Sequence, residues 1–263
     1  MKKLADKVAL ITGGGTGIGR AIALKFASAG AKVAICARQT DHLADALREL
    51  ESTGAAAKAI VMDQAIEADC VRTVRETVEA FGQLDILVNN ASAVGPVGPV
   101  ASLDVKAWED AMRINLTGLM VMCREAVKVM TPRKSGCILN VSSNVGRRGF
   151  AHRAPYVCGK WAMHGLAQTL ALETAGDGIR VNTICPGPVM TDRLNGAMAS
   201  MAAARGISPE DLQREWESQS PMVRLAGFPP AQECAAGALF PVSDASSAMT
   251  GQALNVTAGM MMT

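Results

Sequence analysis

Aromatic residues are scarce in this sequence: they make up 3% of its 263 residues and include a single tyrosine. The 49% of hydrophobic residues must therefore build a core mainly from aliphatic side chains and methionine. An excess of one charge is also lacking, since 26 Lys and Arg residues stand against 24 Asp and Glu, without a basic block. This balance argues against nucleic acid or a membrane surface as the main partner.

Metal-ligand spacings and long apolar runs are missing too. The seven cysteines are widely spaced without a CxxC pair, and the three histidines form no HExxH motif. We therefore expect no metal site, and reduced, mostly buried thiols in a cytoplasmic protein. No apolar run approaches about eighteen residues, so no membrane span is expected. Asp6 and Lys7 interrupt the apolar start of the chain, which indicates a first strand rather than an export signal.

Short apolar runs alternate with longer segments of helical periodicity. The predicted strands are 8–12, 32–36, 59–62, 86–89, 137–141, 180–184 and 253–256, and the predicted helices are roughly 18–29, 41–53, 67–81, 104–130 and 155–175. Nearly continuous apolar strands are typical of parallel strands that are covered on both faces. The order predicts an α/β fold, a doubly wound parallel sheet of the Rossmann type, in one domain over 1–263.

The segment 190–228 breaks this alternation. It is rich in Met, Ala and Gly, and a helix is expected to start at Ser208-Pro209-Glu210. Because it lies between strands, we expect it over the carboxyl edge of the sheet, where open α/β sheets bind ligands. We interpret it as a mobile helical substrate lid, with an oligomer contact as the alternative.

A glycine turn follows the first predicted strand. The sequence TGGGTGIG at 12–19 places Gly13, Thr16, Gly17, Ile18 and Gly19 between a strand and a helix. Glycines let backbone N–H groups approach a pyrophosphate closely, so the turn predicts a dinucleotide site. The spacing is GxxxGxG rather than GxGxxG, and glycine turns also occur for purely structural reasons.

The end of the second predicted strand bears on the choice of dinucleotide. An acid there would hold the ribose hydroxyls of NAD, but the strand ends in Cys36-Ala37-Arg38. Arg38 can pair with the 2′-phosphate of NADP, so NADP(H) is favoured and NAD(H) is the second choice. A solvated Arg38 is the alternative. Asp63, after the third strand, is a candidate for contacting the adenine amino group, or for capping a turn.

Tyr156 and Lys160 stand four residues apart in a predicted helix, so their side chains share one face. A tyrosine hydroxyl in water has a pKa of about 10, and a neighbouring ammonium favours the phenolate. Ser143 would hold a substrate oxygen near the phenol, and Asn115 could hold a water linked to Lys160. Such a Tyr–Lys pair also arises by chance, but together with the glycine turn it favours coupled proton and hydride transfer.

These motifs resemble the short-chain dehydrogenase/reductase family, in its common length of about 250 residues and with its NADP-preferring pattern. TGGGTGIG matches the cofactor turn, LVNNAS at 87–92 the element that flanks the adenosine, and CPGPVMTD at 185–192 the loop that holds the nicotinamide. The resemblance implies that the cofactor is contacted by Asn90, Tyr156, Lys160, Pro186, Gly187, Val189 and Thr191.

The same resemblance implies a catalytic tetrad of Asn115, Ser143, Tyr156 and Lys160. Tyr156 would be the acid/base, Lys160 would stabilise its phenolate and bind the ribose, Ser143 would polarise the carbonyl, and Asn115 would position a relay water. A homotetramer is also implied, with the helices near 104–130 and 155–175 at a two-fold interface. Gly159 stands where the family frequently has Ser, and Ser92 where it usually has Gly.

Two enzymatic interpretations follow. A ketone reductase or secondary-alcohol dehydrogenase acting on a small molecule is favoured by the near-neutral charge balance, and a 3-oxoacyl-[acyl-carrier-protein] reductase is the alternative. A cofactor-binding regulator without catalysis is a third possibility, which the complete tetrad disfavours. One of Arg147, Arg148, Arg153 and Arg193 could hold a carboxylate or phosphate of the substrate, although we expect most of them to face solvent.

Overall fold

The computed structural model describes residues 2–220, 222–223 and 227–262, and seven parallel strands in this part of the chain form one sheet. The strands are β1 Val8–Thr12, β2 Lys32–Ala37, β3 Ala57–Val61, β4 Ile86–Asn89, β5 Gly136–Val141, β6 Ile179–Pro186 and β7 Ala253–Val256. Their order across the sheet is β3-β2-β1-β4-β5-β6-β7. The predicted doubly wound α/β fold is therefore confirmed.

The helices lie between and after these strands. They are α1 Gly17–Ser28, α2 Thr40–Ser52, α3 Glu67–Phe81, α4 Val105–Met112, α5 Leu119–Met130, α6 Ala154–Thr174, α7 Asp192–Arg205, α8 Pro209–Ser218 and α9 Ala231–Val242. The predicted helix 104–130 is interrupted by a π-helical turn, Arg113–Gly118, which joins α4 to α5. The sequence analysis missed α7 and α9, which are rich in Ala and Gly and show little contrast between a polar and an apolar face.

Side chains along each strand alternate between two apolar layers, because successive residues of a strand point to opposite faces. Ile11 packs with Phe26 in the layer under α1, α2 and α9. Leu10, its neighbour, packs with Met122 in the layer under α3, α5 and α6. Burial on both faces explains why Val, Ile, Leu, Ala and Cys make up most of the strand residues.

A third apolar cluster lies outside the sheet. Met201 of α7 and Trp216 of α8 are buried in it, and Phe150 and Met260 pack against it. The start of α8 agrees with the prediction, because the Ser208 hydroxyl accepts a hydrogen bond from the Asp211 N–H. The segment 190–228 thus carries two packed helices, while residues 221 and 224–226 within it lie outside the described residues.

The described residues contain no helix long and apolar enough to cross a membrane. Within the same ranges, no three His, Cys, Asp or Glu side chains are grouped so that they could hold a metal ion. All seven cysteines are free, and only Cys158 is exposed. The prediction of mostly buried thiols is therefore confirmed.

Candidate active site

Two adjoining cavities open at the carboxyl edge of the sheet. The first, called here the long cleft, runs from the glycine turn past the ends of β2 and β3 to β4. The second, called the inner pocket, has a cavity volume of about 170 Å³ and lies between the ends of β5 and β6, α6 and the helices α7 and α8. Residues that line both cavities are Ile18, Asn90, Ser92 and Thr191. One elongated ligand can therefore reach from one cavity into the other.

The glycine turn is held tightly against Asn90. The Asn90 amide donates to the carbonyl oxygens of Thr12 at 3.0 Å and Gly13 at 3.2 Å. Gly13 has φ +65°, and a Cβ there would lie 2.8 Å from the Asn90 nitrogen; a Cβ on Gly19 would collide with the Gly13 carbonyl. Larger residues would push the turn away from β4. Of the predicted turn residues, Gly13, Thr16, Gly17 and Ile18 line the long cleft, and Gly19 is buried beneath it.

Arg38 and Asp63 line the far half of the long cleft. Arg38 is exposed and directly follows β2. The Asp63 carboxylate accepts a hydrogen bond from the Ala65 N–H at 2.9 Å, so it lines the cleft and also stabilises its own turn. His42 lines this part of the cleft as well. The sequence analysis missed His42, because it is one of several polar residues at the start of α2.

The loop after β6 forms the wall between the two cavities. Pro186, Gly187, Val189 and Thr191, which the family resemblance assigns to the cofactor, all line the inner pocket. The Gly187 N–H donates to the Val256 carbonyl at 2.9 Å, which ties the loop to β7. The Thr191 hydroxyl accepts from the Leu194 N–H at 3.2 Å and so caps α7.

Tyr156 and Lys160 lie one helical turn apart on α6 and both line the inner pocket. The Lys160 ammonium lies 5.6 Å from the centre of the Tyr156 ring. It is almost completely buried and donates to the Val141 carbonyl at 2.6 Å. The end of β5 thereby fixes the position of the charge beside the phenol.

Two adjacent serines follow β5, and the structure distinguishes them. Ser143 is partly exposed in the inner pocket, and its hydroxyl bonds to the Asn144 side chain at 3.1 Å. Ser142 is buried, and its hydroxyl lies 3.0 Å from His164 Nε2. The Ser143 hydroxyl is therefore the one placed to meet a ligand.

Asn115 lies behind the pocket rather than on its lining. It sits in the π-helical turn, where its side chain accepts from the Ala93 N–H at 2.7 Å and donates to the Ala93 carbonyl at 2.9 Å. Its Cβ is 2.8 Å from the place that a Cβ of Gly159 would occupy. Asn115 thus packs against α6 at Gly159. π-Helical turns are frequent at functional sites.

A family model described as short chain dehydrogenase matches residues 7–201. This chain belongs to the short-chain dehydrogenase family. It is 38% identical to an uncharacterised oxidoreductase of Thermotoga maritima, with 96% of each chain covered. As a member of this family it is an oxidoreductase, and the family uses nicotinamide cofactors.

Solved structures of the family superpose closely on this short-chain dehydrogenase. A variant of actinorhodin polyketide ketoreductase with NADPH is 32% identical, with a TM-score of 0.91 and 97% of each chain covered. NAD⁺-bound xylitol dehydrogenase is 30% identical, with a TM-score of 0.90, covering 97% of this chain and 99% of its own. The two similar structures carry different nicotinamide dinucleotides.

His164 lies behind Ser142, with its Nε2 3.0 Å from the Ser142 hydroxyl. The Ser142 hydroxyl also donates to the Lys160 carbonyl at 3.3 Å. Burial lowers the pKa of His164, and the positive charges of Arg147 and Lys160 lower it further. A second positive charge near Lys160 is therefore disfavoured.

The outer wall of the inner pocket contains residues that lie far apart in sequence. Phe150 and Trp216 meet edge to face with ring centres 6.2 Å apart, and Met260 comes from the C-terminal segment. Arg153 is buried, at 8% exposure, whereas Arg147 and Arg148 are partly exposed. The side chain of Arg193 lies outside the described residues. No local pattern marked Met260, because its position depends on the return of the chain after β7.

Proposed function

We propose that this protein transfers a hydride between NADP(H) and the carbonyl or secondary alcohol of a small molecule. The observation that carries the proposal is that Ser143, Tyr156 and Lys160 line one pocket together with the loop after β6. The lining of the long cleft by the glycine turn supports dinucleotide binding there, since its glycines leave the space that a pyrophosphate needs.

The proposed mechanism assigns one task to each side chain. The reduced nicotinamide, when bound against Pro186 and Gly187, supplies the hydride. The Ser143 hydroxyl donates a hydrogen bond to the substrate carbonyl oxygen and holds it beside the phenol. The Tyr156 hydroxyl gives its proton to that oxygen, and in the reverse direction the phenolate takes it back.

Lys160 and Asn115 support the phenol in this proposal. The ammonium stabilises the phenolate through its positive charge. It carries three donors, so a hydrogen bond to the Val141 carbonyl is compatible with contacts to the ribose. We assign to Asn115 the positioning of a water that links Lys160 to solvent, which its place beside Gly159 supports.

The preference for NADP(H) is supported by the charge in the long cleft. Arg38 lines the cleft directly after Ala37, where an acid would favour the ribose hydroxyls of NAD. A guanidinium there can pair with a 2′-phosphate. In the same proposal Asp63 approaches the adenine and Asn90 flanks the adenosine.

The proposal also includes an oligomeric state, a cellular location and a substrate lid. On α6, Trp161 is 50% exposed and Leu172 is 85% exposed, which supports packing of this helix in a homotetramer. The buried free thiols fit a reducing, cytoplasmic location. We also propose that α7 and α8 serve as a substrate lid, which their place in one wall of the inner pocket supports.

A 3-oxoacyl-[acyl-carrier-protein] reductase is the second candidate, supported by the similarity to the polyketide ketoreductase. A regulator without catalysis is disfavoured by the complete tetrad. The test is the absorbance of reduced nicotinamide during incubation with cyclic ketones, sugars and acyl thioesters, each with NADPH and with NADH. Oxidation of NADPH by a free carbonyl compound supports the proposal, and oxidation by acyl thioesters alone supports the second candidate. A lack of oxidation throughout the panel, with the cofactor bound, contradicts both enzymatic functions.

A further inference from the structure

The inner pocket is positively charged where a substrate would lie. Arg148, Arg153 and Lys160 line it, and none of its described lining residues is Asp or Glu. The proposed mechanism gives Lys160 a task at the phenol and the ribose. The mechanism gives no task to the guanidinium groups of Arg148 and Arg153.

Arg153 lies directly over the phenol ring. Its guanidinium carbon is 5.0 Å from the ring centre of Tyr156, and its Nη1 is 3.1 Å from the sulfur of Met201. The guanidinium of Arg153 therefore forms part of the pocket wall beside the phenol, where its positive charge favours an anionic ligand.

The position of Arg153 in the chain strengthens this argument. It is the residue that precedes α6, and the first turn of α6 contains Pro155 and no acidic residue. The N-terminus of a helix carries partial positive charge, so a cation is unfavourable there and an anion is favourable. The helix end and the guanidinium both attract negative charge to one side of the pocket.

Arg148 brings a second guanidinium to the same pocket. Its Nε is buried and has no hydrogen-bond partner among the described residues, and its Nη2 lies 3.7 Å from the sulfur of Met260. The adjacent Arg147 lies elsewhere, in a different cavity with His164 and Gln252. The loop after β5 therefore directs one arginine into the inner pocket and the other away from it.

We propose that the substrate carries an anionic oxygen group, a carboxylate or a phosphate, that is bound by Arg148 and Arg153 near the reactive carbonyl. This inference rests on the proposed function, because it places the anion beside Tyr156. Guanidinium groups bind both kinds of anion through charge-assisted hydrogen bonds. Since Arg153 lies over the phenol ring, the anion lies within a few bonds of the reacting carbon. The phosphate of a carrier-protein pantetheine arm is many bonds away, so the inference favours a small free acid.

The rest of the wall suits the body of such a molecule. Phe150, Leu194 and Trp216 contribute apolar surface. Benzoate, phenyl phosphate and benzamide are therefore suitable probes, because they share a ring and differ in charge.

The test is calorimetric titration of these three probes into the protein saturated with NADP⁺. Benzoate or phenyl phosphate should bind about tenfold or more tightly than benzamide, and the stronger of the two anions identifies the chemical class. Arg148→Gln and Arg153→Gln should each weaken anion binding by about 10- to 100-fold and leave benzamide unchanged. Arg147→Gln is the matched control and should still bind the two anions more tightly than benzamide. Equal affinities for all three probes would overturn the inference. So would a loss of anion affinity in Arg147→Gln as large as that in Arg148→Gln and Arg153→Gln.

Two further variants separate this inference from the proposed function. Tyr156→Phe should lose turnover and keep the preference for anions. Arg153→Lys keeps the charge and should retain part of the preference even if Arg153→Gln fails to fold. Preference for anions without turnover of any carbonyl compound would refute the proposed function and support the inference. Turnover of neutral ketones without any preference for anions would refute the inference alone.

Discussion

The Cβ of Asn115 lies 2.8 Å from the place that a Cβ of Gly159 would occupy. The π-helical turn and α6 therefore approach as closely as a glycine allows. A side chain larger than that of glycine at position 159 would therefore meet the side chain of Asn115.

We predict that Gly159→Ala destabilises the protein and lowers turnover. Alanine favours a helix over glycine by about 1 kcal/mol, but the added methyl must displace Asn115, and such overpacking costs about 1–3 kcal/mol. Gly165→Ala is the matched control, because a Cβ at this α6 position meets nothing within 4 Å. Denaturant titration should show a lower free energy of unfolding for the first variant and an equal or higher one for the second. Equal stability of the two variants would contradict the packing argument.

Arg38→Ala should weaken NADP⁺ binding by about tenfold and leave NAD⁺ binding unchanged, because only the former loses a charge-assisted contact to its phosphate. Fluorescence or calorimetric titration of both dinucleotides measures the two dissociation constants. Arg48→Ala is the control, since Arg48 is exposed on α2 and pairs with Asp45 outside the long cleft. If the affinities for NADP⁺ and NAD⁺ fell by the same factor, Arg38 would not recognise the 2′-phosphate.

Thiol labelling should be confined to Cys158. Burial raises the pKa of Cys123 to about 12 and that of Cys185 to about 11. A raised thiol pKa leaves less thiolate at a given pH, and the thiolate is the reactive form. Mass spectrometry after brief alkylation of the native protein at mildly alkaline pH should find at most one modified site per chain. Labelling of Cys123 or Cys185 at the rate of Cys158 would contradict the description of the core.

Leu172→Glu should dissociate the proposed assembly. Leu172 is 85% exposed on α6, and it shares nearly the same helix face with Cys158, fourteen residues earlier. Light scattering should show a smaller particle, and Cys158 should be alkylated faster in this variant than in the wild type. Val61→Glu is the control, because Val61 is half-exposed on the edge strand β3. If wild type and Leu172→Glu are both monomeric, α6 is not an interface.

The motifs could be predicted because their residues lie close together in sequence. The bounds of β1 and β4 agree with the prediction, since both are short apolar runs bounded by polar residues or glycine. The glycine turn and the Tyr156–Lys160 pair are likewise local, and each needs only a strand–helix junction or one helical turn. Local spacing was therefore sufficient for the fold class, for the glycine turn and for the Tyr156–Lys160 pair.

The remaining features depend on contacts between distant parts of the chain. Met260 reaches the inner pocket through the return of the chain after β7, and the burial of Arg153 depends on its packing against α7. The π-helical turn follows from the contact between Asn115 and Ala93 and from the close approach of α6. None of these contacts leaves a periodic pattern in the sequence.

Transfer of deuterium from NADPH that carries two deuterium atoms at the reactive carbon of its nicotinamide tests the central claim most directly, because transfer from either face then delivers the label. The best carbonyl substrate is incubated with the wild type or with Tyr156→Phe, and any product is analysed by mass spectrometry. We predict one deuterium in the new carbinol with the wild type. In the variant we predict almost no product, although NADPH binding is retained. Full labelled turnover by Tyr156→Phe, or wild-type product without deuterium, would contradict the account.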